Sequence, residues 1–217
     1  MMKRLFIVAI LFAFLGLSNQ ASAQKPDATG FIKTYAQPGG MLTFDWIIGV
    51  PVGQMSDKFI SKTSTRGFAM EYRYLFNDPI SVGGGFSWQG FSEKFDRSTY
   101  EMEGAAITST RFNYLYTFPL YVNFHYYPLK NNYIYPFIGV NAGMFNIEKQ
   151  DQIGQYYVED KSWQFGFQPE IGALFQLNPG SGFGFIVKGK YTHILYNKGE
   201  YNSLSHFDIH IGATFVF

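Results

Sequence analysis

The residues best able to do chemistry include two sets spaced two positions apart, Glu71-x-Arg73 and His206-x-Asp208-x-His210, with Asp45, Glu170 and Lys190 elsewhere. Three chemistries are open to such a set. His206, Asp208 and His210 are ligand types for a metal ion. Ser203 and Ser205 beside His206, and His193 further back, are residue types of a nucleophile and its base. A file of opposed charges could also pass protons or ions. Spacing weighs against the first two. On a strand, residues i and i+2 lie about 7 Å apart and i and i+4 about 13 Å. His206 and His210 therefore do not share one ion as the helical H-E-x-x-H pair does. Adjacent strand residues point to opposite faces, which separates Ser205 from His206. The sequence holds no P-loop, G-x-S-x-G or paired-carboxylate motif. The expectation is a chain that is not an enzyme, with no catalytic, cofactor or metal site, whose charges partner one another.

The element that must position the histidines is the last one. From Ser205 to Phe217 the odd positions are Phe207, Ile209, Ile211, Ala213, Phe215 and Phe217; the even ones are His206, Asp208, His210, Gly212, Thr214 and Val216. This is a strand with one apolar and one largely polar face. It has no successor, so in an open sheet its edge groups would be unpaired. Pairing with the first strand closes a barrel. The same alternation marks strands at about 41–52, 64–76, 79–91, 110–127, 133–147, 162–176 and 183–196. In the fifth both faces carry aromatics; Ile134, Ile138, Val140, Ala142 and Met144 are read as outward, Tyr135, Gly139, Asn141 and Gly143 as inward. Pro51, Pro119, Pro136 and Pro169 each remove a ladder donor, and the register is least secure around Pro136 and Pro169.

Composition places the apolar face in lipid. Aromatics make up 20% and charged residues only 15% of the 217 residues, below the usual quarter. Yet the mean hydropathy is near zero, so apolar and polar residues are interleaved. Beyond the N-terminal segment, no stretch reaches the ~20 apolar residues a spanning helix needs. A net charge of +1 gives no argument for nucleic acid, and the absence of cysteine excludes disulfides and thiolate metal sites. Lys3 and Arg4, the apolar run Leu5–Leu17 and Ala21-Ser22-Ala23 read as a signal peptide over 1–23, cleaved before Gln24. Residues 24–40 read as a flexible periplasmic lead-in and 41–217 as the barrel. The connections at 76–79, 128–132 and 177–182 are tight; those at 53–63, 92–109, 148–161 and 197–204 are longer and more charged. Short turns at one end and long loops at the other are the pattern of outer-membrane barrels, with both termini periplasmic. Trp88 and Trp163 then fall near the outer rim, and Tyr72, Tyr74, Tyr126, Phe175, Phe183, Phe215 and Phe217 near the inner one.

Eight strands enclose just enough room for side chains. A turn centred near Pro179–Gly180 sets Glu170 opposite Lys190, and the last strand brings Asp208 and His210 to the other side of Lys190. A loop centred near residue 58 sets Asp45 opposite Glu71 or Arg73. The expected result is one buried network of Glu170, Lys190, Asp208 and His210.

The segments FPLYVNFHYYPL (118–129), YPFIGVNAGMF (135–145) and QPEIGALFQL (168–177), with the C-terminal GATFVF, resemble the outer-membrane β-barrel domain (porin-like) family common in Bacteroidetes. The resemblance covers nearly all of the chain after the signal peptide. It implies an all-β, eight-stranded, antiparallel up-and-down transmembrane barrel in the bacterial outer membrane, inserted by the barrel-assembly machinery, which reads a terminal aromatic such as Phe217. It carries over no catalytic residue. The function expected is a structural or interaction role with a side-chain-filled interior. The alternatives are a narrow porin-like channel, an accessory component of a secretion system and a lipid-modifying outer-membrane enzyme. The partners expected are outer-membrane lipid and lipopolysaccharide, and a protein partner at the loops 92–109 and 148–161. Those loops set Tyr100, Tyr156 and Tyr157 among Glu93, Lys94, Asp96, Arg97, Glu101, Glu103, Glu148, Lys149, Asp151, Glu159 and Asp160.

Overall fold

The computed structural model describes residues 39–76, 79–102, 105–129, 133–177, 182–196 and 202–217. The expected signal peptide (1–23) and residues 24–38 of the expected lead-in lie outside the described residues. Eight antiparallel strands follow one another: β1 (Gly39–Val52), β2 (Gly67–Leu75), β3 (Ile80–Met102), β4 (Ala105–Tyr126), β5 (Ile134–Ile153), β6 (Tyr156–Gln176), β7 (Phe183–Ile194) and β8 (Leu204–Val216). Each pairs with the next, and β1 pairs with β8 from Met41↔Val216 to Val52↔Ser205, so the barrel is closed. Closure satisfies the backbone N–H and C=O groups that lipid could not.

The alternation behaves as expected. Phe207, Ile209, Ile211 and Phe215 of β8 face out, and His206, Asp208, His210 and Thr214 are buried inside. In β5, Ile134, Ile138, Val140 and Met144 face out while Tyr135 and Asn141 are buried. The register runs through the prolines that threatened it. Pro136 lies opposite Ala173, and Pro169 lies opposite Val140. The β6–β7 ladder skips Gln168 and Pro169 and resumes at Glu170↔Lys190 without a shift.

Two expectations fail. The segments 92–109 and 148–161 are not loops. β3 and β4 stay paired to Met102↔Ala105, and β5 and β6 to Ile153↔Tyr156. Beyond the apolar belt both faces of a sheet meet water, so the in–out alternation fades while backbone pairing continues. Cross-strand polar pairs replace apolar ones. The Thr99 and Thr108 hydroxyls are 2.8 Å apart, and Arg111 Nε donates to Asp151 at 2.9 Å. Lys161 reaches Glu148 at 3.3 Å and Glu159 at 2.5 Å. Its hydrogen bond holds the Glu159 carboxyl below the usual carboxylate range. Gly154, with φ +59°, stands first in the two-residue turn between β5 and β6, the position that needs glycine in a type II′ hairpin. These four strands outrun their neighbours: β2 starts at Gly67, opposite Gln89, and β7 ends at Ile194, opposite Gly166.

The connection from β1 to β2 is the other departure. It carries a short helix, α1 (Gln54–Lys58), and β2 begins at Gly67 rather than near 64. Ser64 folds back onto Gly49 through two backbone hydrogen bonds of 2.7 and 2.8 Å. Met55, Phe59 and Ile60 turn into the barrel mouth and are buried.

Ile211 sits at the centre of the outward apolar run of β8. Ile211→Lys should lower unfolding free energy by about 2–4 kcal/mol, the cost of a charge facing mid-bilayer. Thr214→Ser should be nearly silent. Urea unfolding in lipid vesicles measures both.

Candidate functional site

The interior is the place where the chemistry-bearing residues meet. Asp45 (β1), Glu71 and Arg73 (β2), His125 (β4), Glu170 (β6), Lys188 and Lys190 (β7), and His206, Asp208 and His210 (β8) are all buried. Glu71 is the hub. It accepts from Lys188 Nζ at 2.7 Å, from Lys190 Nζ at 2.6 Å, from the Tyr121 hydroxyl at 2.8 Å and from Arg73. Lys190 also reaches Glu170 at 3.2 Å, Glu170 pairs with His125, and His125 Nδ1 lies 2.7 Å from Arg73. Arg73, Glu71, Lys190, Glu170 and His125 thus form a closed ring of side chains. Lys188 extends it to Asp45 at 2.8 Å, and Asp45 to His210 at 3.3 Å.

Inward glycines make room for these stems. A Cβ at Gly85 would come within 2.8 Å of Glu71 Cγ, and one at Gly212 within 2.2 Å of Asp45 Oδ1. The charged belt is enclosed at both ends. Toward the α1 end lies a cluster of Met55, Phe59, Ile60, Phe91, Leu115, Phe145, Ile147, Ile194, Tyr196 and Leu204. Toward the chain ends lies one of Met41, Leu75, Tyr127, Tyr135, Phe137, Leu174, Ile186 and Val216.

The expected pairs are partly right. Glu170 does face Lys190, and Lys190 faces Asp208 across β7–β8. Asp45, however, lies opposite Ala69, and Glu71 opposite Thr43, two residues from the expected register. Nor do Glu170, Lys190, Asp208 and His210 form one four-membered network. Asp208 takes His206 Nε2 at 3.2 Å and the Thr192 hydroxyl at 2.8 Å, while His210 turns to Asp45. Four carboxylates therefore face three permanent cations, and Asp208 is the one with a histidine in place of a lysine or arginine.

His206 and His210 bind different carboxylates, Asp208 and Asp45. No metal-ligating cluster occurs among the described residues. Ser205 meets His193, not His206: their Oγ and Nδ1 are 3.0 Å apart on the outer wall. The ring of His193 lies against Phe167 and Tyr191. Among the described contacts no carboxylate orients that imidazole, the third group that a hydrolytic site uses.

The outer wall carries aromatics at two levels. Trp46, Phe68 and Trp88 are register partners across β1, β2 and β3; Trp46 and Phe68 are exposed and Trp88 is half-buried. Toward the chain ends, Tyr72 packs near Phe217 and Phe183 near Phe215. The family described as "outer membrane protein beta-barrel domain" matches residues 7–217. The chain belongs to this family. Its place is the bacterial outer membrane, and its exposed Phe, Tyr, Ile and Val wall is the lipid-facing surface of an outer-membrane barrel.

Solved structures of outer-membrane proteins are similar to this chain, and NspA shares its fold. NspA, a Neisserial surface protein, has 13% identity and a TM-score of 0.52 over 82% of this chain and 97% of its own. Ail of Yersinia pestis, solved with a heparin analogue, has 12% identity and a TM-score of 0.48 over 83% of this chain and 99% of its own. The outer-membrane protease OmpT of Escherichia coli has 7% identity and a TM-score of 0.48 over 86% of this chain and 99% of its own. No curated protein matches in sequence.

Removing one member of the ring strands its partners without solvent. Lys190→Met should cost this outer-membrane barrel about 3–5 kcal/mol, as breaking other buried ion pairs does. Thr192→Val, which removes one neutral hydroxyl from Asp208, should cost about 1–3 kcal/mol. Equilibrium unfolding of the two variants ranks them.

Proposed function

We propose that this outer-membrane barrel is closed to ions and serves a structural or interaction role. The observation that carries the reading is the filled interior: a charged belt whose side chains bind one another, between two apolar clusters. A conducting path needs a continuous file of water, and both clusters interrupt it. The lip formed by β3–β6 is the contact surface. It stands clear of the apolar belt, with Tyr156, Tyr157 and Val158 exposed beside Glu159 and Lys161. Aromatic side chains at a charged rim suit protein recognition.

The orientation belongs to the same proposal. A signal peptide removed after Ala23 delivers the chain to the periplasm, so β1 starts and β8 ends at that side. The tips of β3–β4 and β5–β6 then face outward. A lipid partner, lipopolysaccharide included, contacts the outer wall, and the barrel-assembly machinery acts on β8.

The chain has no cysteine, so Gln155→Cys at the β5–β6 turn introduces a single reactive group. A membrane-impermeant maleimide should label that variant on intact cells. Labelling that requires outer-membrane lysis would reverse the orientation. In planar bilayers the pure wild-type protein should stay at background conductance. Reproducible single-channel steps would replace this reading with the narrow channel.

A further inference from the structure

We propose that the outer wall beside β3 and β4 holds a site for the phosphorylated head group of an outer-leaflet glycolipid. Three cations gather immediately beyond the Trp88 level of the lipid-facing wall. Arg66 lies lowest: its carbonyl accepts from the Gly90 amide at 2.9 Å, and its guanidinium sits 6.0 Å from the centre of the Trp88 ring. Two residues further along β3, Ser92 faces Tyr114, and two beyond that Lys94 faces Phe112. Lys94 Nζ lies 5.8 Å from the Phe112 ring. Lys62 comes in from the β1–β2 connection. Ser92, Lys94, Phe112, Tyr114 and Lys62, with Glu93, line one cavity of about 230 Å³.

The cavity is held in place by the fold. Ser61, next to Lys62, donates its amide to Glu93 Oε2 at 2.6 Å and its hydroxyl to Oε1 at 2.9 Å. Both oxygens of the one carboxylate lining the cavity are therefore turned onto Ser61. The same two bonds fix where Lys62 enters. What remains open is two ammonium groups and two hydroxyl-bearing side chains above a stack of rings: Trp88 and Tyr116 at 6.1 Å, Tyr116 and Tyr114 at 6.4 Å. Aromatic belts mark the head-group level of a bilayer. Cations placed there bind anionic head groups through charge-assisted hydrogen bonds. A ligand using both features has phosphate above and acyl chains below. A free anion would use only the lysines.

This inference rests on the outward orientation proposed above for the β3–β6 lip. Its test does not. The full-length mature barrel in detergent is titrated with lipid A, a bisphosphorylated glucosamine glycolipid, and with its dephosphorylated form, and binding is read by native mass spectrometry. The wild type should prefer the phosphorylated form by about tenfold or more, given two lysines at a lipid surface. Lys62→Ala combined with Lys94→Ala should abolish that preference, and Lys94→Gln alone should reduce it. Lys161→Ala, on the neighbouring hairpin, should keep it. Both cavity lysines are exposed, and a heat-modifiability gel verifies that each variant is folded. Equal affinity for the two lipids, or a preference that survives the double variant, overturns the site. Displacement of the lipid by an equal concentration of inorganic phosphate overturns the glycolipid as its ligand. A preserved preference together with periplasmic labelling of Gln155→Cys would retain a phosphate-binding site but overturn the outer-leaflet glycolipid as its ligand.

Discussion

A carboxylate with no water must be met by protein, and Glu71 is met from three directions. Arg73 lies on its own strand, Lys188 and Lys190 reach it from β7 across the lumen, and Tyr121 donates from β4. Desolvating so many charges is costly unless each is hydrogen-bonded in good geometry. That requirement explains other features of the interior. Gly85 and Gly83 on β3 leave space where Glu71 and Arg73 must lie. His125 accepts a place between Arg73 and Glu170, stacked 4.6 Å from Phe137. The apolar clusters at either end keep the belt from water.

The wall obeys the opposite rule. Outward positions meet lipid, where an unpaired polar group costs several kcal/mol, and β1 to β8 closure leaves the ring without an edge strand. Where the strands rise past the Trp46–Phe68–Trp88 level the rule lapses. There β3 to β6 continue as a polar sheet with water on both faces, held by Arg111–Asp151 and by Lys161 between Glu148 and Glu159. The change in side-chain chemistry along each strand is thus a change of solvent, not of backbone structure.

This explains what was legible in the sequence. Strict alternation in β8 and β1 is a two-residue period set by the pleat, and it survives because lipid lies on one side only. The Glu170–Lys190 and Lys190–Asp208 pairs follow from ladder neighbours. Contacts across the lumen do not, because Glu71 and Lys188 are far apart around the sheet and no turn links their strands. Asp45 was placed two residues off because α1 and the Ser64–Gly49 fold-back make the β1–β2 connection asymmetric, so its midpoint does not set the register. The Met55, Phe59 and Ile60 insertion had a signal, three apolar residues within a charged connection. The β5–β6 hairpin had one too, in Gly154. The Ser205–His193 contact follows from the same β7–β8 register as Lys190–Asp208, once both residues are recognised as facing outward.

The central claim is that the belt works as one cooperative unit through Glu71. A double-mutant cycle on Glu71→Gln and Lys188→Met, read by reversible urea unfolding in lipid vesicles, tests it most directly. The account predicts that the double variant recovers part of the summed loss, with a coupling of about 1–3 kcal/mol, as for residues sharing one network. Losses that simply add would contradict it, because Glu71 and Lys188 would then be independent charges and not members of a single neutralised core.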